Sequence, residues 1–223
     1  MSTTARSHVN IVGSGPNGLT AAAMLAQAGW SVRVFERNDI VGGAAASTDV
    51  FGDGSVVDLG AAAHPFGVAS PVFRHLGLEE YGLKWLHSKY PMAHPFDDRP
   101  AAILHRDARE TARSLGVDST AWRLIHRSLV NSIDDYLEQI MRPLLRFPNR
   151  PMKMAQFGVL GSAPSSWFVR TAFREEAARA LFTGSAAHAN TPLGHPFTST
   201  YGVLFSAHGM TRGWPVIQGG TGA

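Results

Sequence analysis

The feature that most constrains this chain is a glycine-rich turn set between two short β-branched runs. Val9-Asn10-Ile11-Val12 has the composition of a buried strand and stops at Gly13. Gly13-Ser14-Gly15-Pro16-Asn17-Gly18 follows, then Leu19 to Ala28, rich in Ala and Leu, with helical spacing at Leu19, Ala22, Ala23 and Ala26. Pro16 suits the first helical turn, where its missing N–H costs nothing. Gly29 suits the left-handed position after a helix. Ser31-Val32-Arg33-Val34-Phe35-Glu36 reads as a second strand. Strand, tight turn, helix and strand in this order predict the start of a doubly wound, parallel α/β sheet.

Glycines at these three positions have separate physical uses. Gly13 permits the tight turn, Gly15 lets the backbone approach a pyrophosphate, and Gly18 lets helix and strand pack closely. The helix N-terminus adds N–H groups and the positive end of its dipole. Ser14, Pro16 and Asn17 share the turn and are candidate contacts. Glu36 stands about 20 residues on, where an acid binds a ribose hydroxyl; Arg37 adjoins it. An acid here disfavours a 2′-phosphate, and with it NADP. A second pair, Gly42-Gly43, lets the chain pass close to a bulky phosphate-bearing ligand. Residues 51–65 read as a short strand pair leading into the small-residue loop Gly60-Ala61-Ala62-Ala63, with room for a flat ring.

The segments VGSGPNGLTAA, VFERNDIVGGAA and VVDLGAAAHP resemble the N-terminal part of FAD-dependent oxidoreductases of the phytoene dehydrogenase type. Residues 182–194 and 213–222 are similar to the same group. The resemblance implies a Rossmann-like FAD-binding domain with an inserted α+β substrate domain. It implies FAD contacts from Gly13, Gly15 and Gly18 to the pyrophosphate, Glu36 at the adenosine ribose, Gly42 and Gly43 beside the pyrophosphate, and Gly60 and Ala61 near the flavin. It implies hydride transfer from a C–H bond of an apolar small molecule to flavin, with an unspecified electron acceptor. Flavin amine oxidases of the broader group usually carry Arg after the glycine pair; Ala44 stands here.

The chain of 223 residues has no cysteine, so disulfide relays and Cys-ligated metals are excluded, and redox chemistry must use a borrowed cofactor. There is no HxxxH or HExxH pattern for a metal, and no GxSxG elbow of a serine hydrolase. No catalytic residue is identified; His64 and His188 lie in segments that resemble flavin- or substrate-facing loops, against the plainer reading of hydrogen-bonded structural histidines. A net charge of +3 without a Lys/Arg block gives no reason to expect nucleic acid.

Further on, Ser70 to Leu76 reads as a short helix closed by Gly77, and residues 83–106 as strands of a substrate-domain sheet. Asp107 to Glu110 resembles a capping box. Ser119 to Met141 reads as one long helix with an apolar face of Trp122, Ile125, Leu129, Ile133, Leu137 and Ile140. Residues 142–153 mix cations, Pro and apolar groups and read as a solvated basic linker, with peripheral contact to an anionic membrane as the alternative. Residues 174–181 read as a helix with paired charges, and Pro196 to Met210 as a buried helix. The polar N-terminus and the absence of about 18 consecutive apolar residues point to a cytoplasmic protein.

The expected division is residues 1–75 for the dinucleotide-binding part, 76–212 for the substrate domain, and 213–223 for the start of a truncated return segment. Trp214 to Ala223 reads as a turn leading into a helix. Two other readings stand beside the flavoenzyme. One is a non-catalytic or partial dinucleotide-binding protein that needs a second chain to complete the fold. The other is a flavin amine oxidase or an NAD-dependent dehydrogenase.

Overall fold

The computed structural model describes residues 7–143 and 146–223; Leu144 and Leu145 of the basic stretch fall outside them. The described chain forms two compact units, one of residues up to Leu86 together with Pro215–Ala223, the other His87–Trp214.

In the first unit β1 (His8–Val12) and β2 (Ser31–Phe35) pair in parallel, from His8 opposite Ser31 to Val12 opposite Phe35. Parallel strands need a crossover, and α1 (Pro16–Gln27) supplies it, with Pro16 in its first turn as expected. β3 (Ser47–Thr48) pairs antiparallel with β4 (Val57–Asp58). This pair starts earlier than the sequence pattern predicts. The Asp49 carboxylate accepts the N–H groups of Gly52 (2.7 Å), Asp53 (3.3 Å) and Gly54 (2.8 Å), folding residues 50–54 into a turn and leaving Ser47-Thr48 as the strand. α2 (Pro65–Ala69) and α3 (Pro71–Leu76) follow; the Ser70 hydroxyl caps α3 by accepting the Phe73 N–H, and Gly77 closes it at φ 63°.

β5 (Trp85–Leu86) pairs antiparallel with the last strand, Val216–Ile217. This corrects its assignment to the substrate-domain sheet. Its backbone partner lies at the far end of the chain, and no local pattern records such a pairing. The same segment corrects the reading of residues 214–223 as a turn before a helix: they form this strand followed by turns.

In the second unit β6 (Met92–His94) and β7 (Ala102–Leu104) form an antiparallel pair. α4 (Ala108–Ser114) is capped by Asp107, which accepts the N–H groups of Arg109 (2.7 Å) and Glu110 (2.9 Å). The predicted helix over 119–141 is two helices, α5 (Ser119–Asn131) and α6 (Ile133–Ile140), broken where Ser132 leaves helical geometry at φ −146°. Asn131 and Ser132 favour helix ends because their side chains compete for backbone groups. Asp134 and Asp135 then suit the first turn of a new helix. The apolar face survives the break, with Trp122, Leu129, Ile133 and Leu137 all buried.

α7 (Pro151–Gly161), α8 (Ser165–Ala172) and α9 (Glu176–Ala186) surround α10 (Thr198–Gly209), the predicted buried helix. Part of its polar content is satisfied internally: Thr198 Oγ1 donates to His195 O and accepts the Ser165 N–H, and Ser206 Oγ donates to Ser185 Oγ, while the buried Ser199 hydroxyl has no hydrogen-bond partner among the described residues. In the basic stretch Arg142 pairs with Glu138, while Arg150 and Lys153 pair with Asp135. Much of its charge is thereby neutralised within the unit. Among the described residues no helix is long and apolar enough to cross a membrane.

Candidate functional site

The candidate site is built at the N-terminus of α1, entirely within the first unit. Gly13 turns the chain out of β1 at φ 95°, and its N–H donates to Phe35 O (2.7 Å), tying the turn to β2. Gly15 is the residue before α1 and has no side chain to cap it. The first-turn N–H groups of a helix have no intrahelical partner, so this end presents donors and positive potential outward. A Cβ on Gly13 or Gly15 would meet nothing within 4 Å, so the space in front of the turn is open. At Gly18 the opposite holds: a Cβ would lie 2.1 Å from Gly13 O. The three glycines thus divide, two facing open space and one at a close contact of α1 with the turn after β1. Asn17 and Pro16 are exposed in the first turn.

The second glycine pair comes to the first. Gly42 N–H donates to Ser14 O (3.0 Å), and Gly43, at φ 57°, lies so near Gly15 that a Cβ would be 2.9 Å from the Gly15 Cα. Gly60 packs against Ala44, where a Cβ would be 2.7 Å from the Ala44 carbonyl oxygen, and Ala61 N–H donates to that same oxygen (2.8 Å). Of the sequence-predicted residues, Gly13, Ser14, Gly15, Gly18, Gly42 and Gly43 form one cradle, and Gly60 and Ala61 lie one backbone layer further on.

Glu36 directly follows β2, and its carboxylate is saturated by the protein's own donors. Oε2 accepts from Ser14 N (2.8 Å) and Ser14 Oγ (2.7 Å); Oε1 accepts from Arg37 N (2.9 Å), Asn38 N (2.9 Å) and Asn38 Nδ2 (3.0 Å). A carboxylate offers about four lone-pair sites. A ribose hydroxyl would therefore exchange with a side-chain donor, the Ser14 hydroxyl or the Asn38 amide, while the backbone donors hold the carboxylate in place. The hydrogen bonds from Asn38 and Ser14 lower its pKa from 4.5 to about 2. The group is charged throughout the neutral range, and the stability these bonds contribute is present above 4.5 and lost as pH falls through about 2. A carbon-13 NMR titration should find the Glu36 carboxyl near 2; a midpoint near 4.5 would show that these bonds are not made. Arg37 contributes its backbone N–H to this arrangement, and its side chain is exposed.

Beside the cradle lies a cleft of about 530 Å³, walled by Leu19, Phe73, Leu76, Leu83, Trp85 and Ile217, with Ala61, His64 and Thr221 at its edge. Thr221 joins the C-terminal turn to this edge. Its N–H donates to Asp58 Oδ1 (2.7 Å), its hydroxyl donates to Ala61 O (2.6 Å), and His64 Nε2 lies 2.8 Å from that hydroxyl. With the Thr221 proton directed at Ala61, His64 is assigned as the donor through Nε2. Burial holds the His64 imidazole below its ordinary value, towards the neutral form. Burial raises the Asp58 pKa, but hydrogen bonds from Ser47 and Thr221 outweigh it and hold the carboxylate below the usual range. Ser47 Oγ completes the knot, donating to Asp58 (2.6 Å) and accepting the Gly222 N–H (2.7 Å).

His188 lies in the second unit instead, stacked on Phe205 and edge-on to Trp214, with Nδ1 3.2 Å from the helix carbonyl oxygens of Gly184 and Ser185. The sequence reading missed Asn38 and the Ser47–Asp58–Thr221 knot. Asn38 is a side-chain partner two residues from its acceptor, and the glycines flanking Thr221 were the one local sign that the C-terminal turn packs tightly.

A family model described as an NAD(P)-binding Rossmann-like domain matches residues 11–77, which contain the cradle and Glu36. The chain is 25% identical, over 96% of its length, to pyridine nucleotide-disulfide oxidoreductase domain-containing protein 2 of Rattus norvegicus, of which it covers 43%. It is 30% identical, over 61% of its length, to a limonene dehydrogenase subunit of Castellaniella defragrans, of which it covers 25%. Its fold is similar to that of a wild-type putrescine oxidase bound to putrescine, with a TM-score of 0.58 and 24% identity over 97% of this chain and 47% of that one. The chain thus spans less than half the length of these proteins.

Proposed function

We propose that the chain forms the dinucleotide-binding part of an FAD-dependent oxidoreductase of the phytoene dehydrogenase-like type, which removes hydride from a C–H bond of an apolar small molecule. The observation that carries this reading is the approach of Gly43 to Gly15. Two glycine turns in contact, with an ionised Glu36 beneath them, make a backbone-lined cradle that fits a pyrophosphate and its adenosine ribose. The adjoining apolar cleft fits a flat ring and an apolar substrate.

Flavin, when bound, supplies the hydride-accepting ring. The chain's own residues bind and orient. Gly13, Gly15 and the α1 N-terminus receive the phosphates, Glu36 accepts the ribose hydroxyls, and Asp58 and Thr221 hold His64 with its Nε2 proton at the cleft edge. Relatives named as oxidoreductases support the redox reading. Ala44, in place of the Arg usual in amine oxidases, favours C–H over amine oxidation.

The test is titration of the purified chain with FAD, NAD and ADP, read by thermal shift and by oxidised-flavin absorbance. FAD at 100 times its Kd is expected to add about 2.7 kcal/mol of stability. Glu36→Gln is expected to weaken FAD about tenfold, because a neutral amide loses the charge assistance that the carboxylate gives to the ribose hydrogen bonds. Stabilisation by NAD with none by FAD would replace the flavoenzyme with a nicotinamide dehydrogenase.

A second reading is favoured by the sheet. Val12 is 88% exposed and Phe35 47% exposed at the ends of β1 and β2, whereas parallel strands are ordinarily covered on both faces. A further polypeptide segment supplying neighbouring strands would cover them. In that reading the cytoplasmic chain binds dinucleotide alone and turns over only with that segment present. Flavin binding without turnover, restored by a co-purifying polypeptide, is the result that distinguishes it.

A further inference from the structure

The second unit contains a cleft of about 710 Å³ between α4 and α5 that none of the dinucleotide chemistry uses. Its rim carries Arg106, Arg109, Arg113, Arg123 and Arg127. On each helix the arginines stand four residues apart, at 109 and 113 on α4 and at 123 and 127 on α5, so each pair shares a face. Like charges at this spacing repel, and two such pairs face one another here. Among the described residues none of the five belongs to an ion pair. The single carboxylate in the cleft, Asp107, already caps α4.

The floor is apolar and buried, formed by Trp122, 1% exposed, and Met210, 3% exposed. His126 lines it, 1% exposed. Its Nδ1 lies 2.9 Å from Trp122 O and donates to it, and its Nε2 has no hydrogen-bond partner. A buried polar atom without a partner is costly. Asp107 is coupled electrostatically to Arg109 and Arg113, and Arg106, Arg123 and Arg127 have no further carboxylate among the residues lining the cleft.

We propose that this cleft is a second ligand site, specific for a phosphate-bearing molecule with an apolar body: the guanidinium groups take the phosphate, and the apolar part lies against Trp122 and Met210. Guanidinium forks match phosphate oxygens in geometry as well as in charge. The volume is that of an ordinary small-molecule pocket. The site is independent of the flavin reading.

The test uses the full chain, inorganic pyrophosphate as probe, and the double variant Arg123→Ala/Arg127→Ala. Both arginines are exposed, so the variant should keep the wild-type melting temperature and circular dichroism. Calorimetry should show a pyrophosphate site weakened at least about tenfold in the double variant and unchanged in Arg170→Ala, which lies outside the cleft. Any binding at the glycine cradle persists in both and sets the baseline. Sedimentation with phosphatidylcholine vesicles containing phosphatidylglycerol separates the sources of phosphate. Sedimentation lost in the double variant identifies a lipid headgroup, and pyrophosphate binding without sedimentation identifies a soluble phosphate ester. Equal pyrophosphate affinity in wild type and double variant, or no binding beyond the baseline, overturns the proposal.

Discussion

Gly18→Ala is expected to destabilise the first unit by about 3 kcal/mol and to abolish dinucleotide binding with it. The added Cβ would stand 2.1 Å from Gly13 O, a backbone atom that cannot swing away as a side chain would. Gly13 is itself held, since its N–H donates to Phe35 O and its φ of 95° defines the turn. Relief requires α1 to lift from β1, which breaks the strand–turn–helix geometry that aims the α1 N-terminus. The companion variant is Gly15→Ala. Gly15 sits at φ −70°, where alanine is unstrained, and its Cβ would meet nothing within 4 Å. It should fold with near wild-type stability and still bind FAD or ADP poorly, because the methyl group occupies the approach to the pyrophosphate. Urea denaturation and ligand titration on both variants separate the two roles. A Gly18→Ala protein as stable as wild type would show that helix and strand do not meet at this point.

The largest loss in the second unit is expected from Phe182→Ala, about 3–5 kcal/mol. Phe182 is 0% exposed and stacks on Phe168 at 4.9 Å, with Phe173 at 5.9 Å and His126 at 6.2 Å between ring centres. Its ring also fills the notch at Gly202 on α10, where a Cβ would be 2.4 Å from Cε1. Gly202→Ala should therefore cost about 1–3 kcal/mol by overpacking. The double variant Phe182→Leu/Gly202→Ala should cost less than the sum of its parts, because the shorter side chain makes room for the methyl. Additive losses would mean that ring and glycine do not share this space. Chemical denaturation of Phe182→Leu, Gly202→Ala, the double variant and the wild type closes the cycle.

These two sites differ in how far each was legible in the sequence. The Gly18 contact was readable because its spacing from Gly13 is local and because a strand run and a helical run flank the turn. The Phe182–Gly202 notch was not, although Pro196 to Met210 was recognisable as a buried helix. Apolar composition tells that a helix is covered and says nothing of which ring covers which glycine. The break at Ser132 escaped the periodicity reading for a related reason: the apolar face continues through it, and only backbone geometry marks the interruption.

By itself the sequence determined the β1–α1–β2 unit, the glycines of its turn, the acid after β2 and the dinucleotide chemistry these imply, because each depends on residues close in the chain. Tertiary structure alone decided that Gly43 would meet Gly15, that Trp85-Leu86 would pair with Val216-Ile217, that Asp58 would hold Thr221, and that arginines of α4 and α5 would face each other across one cleft. Those contacts join residues distant in sequence. Their energies come from burial and from hydrogen bonds between partners brought together only when the units fold, and local residue patterns do not encode them.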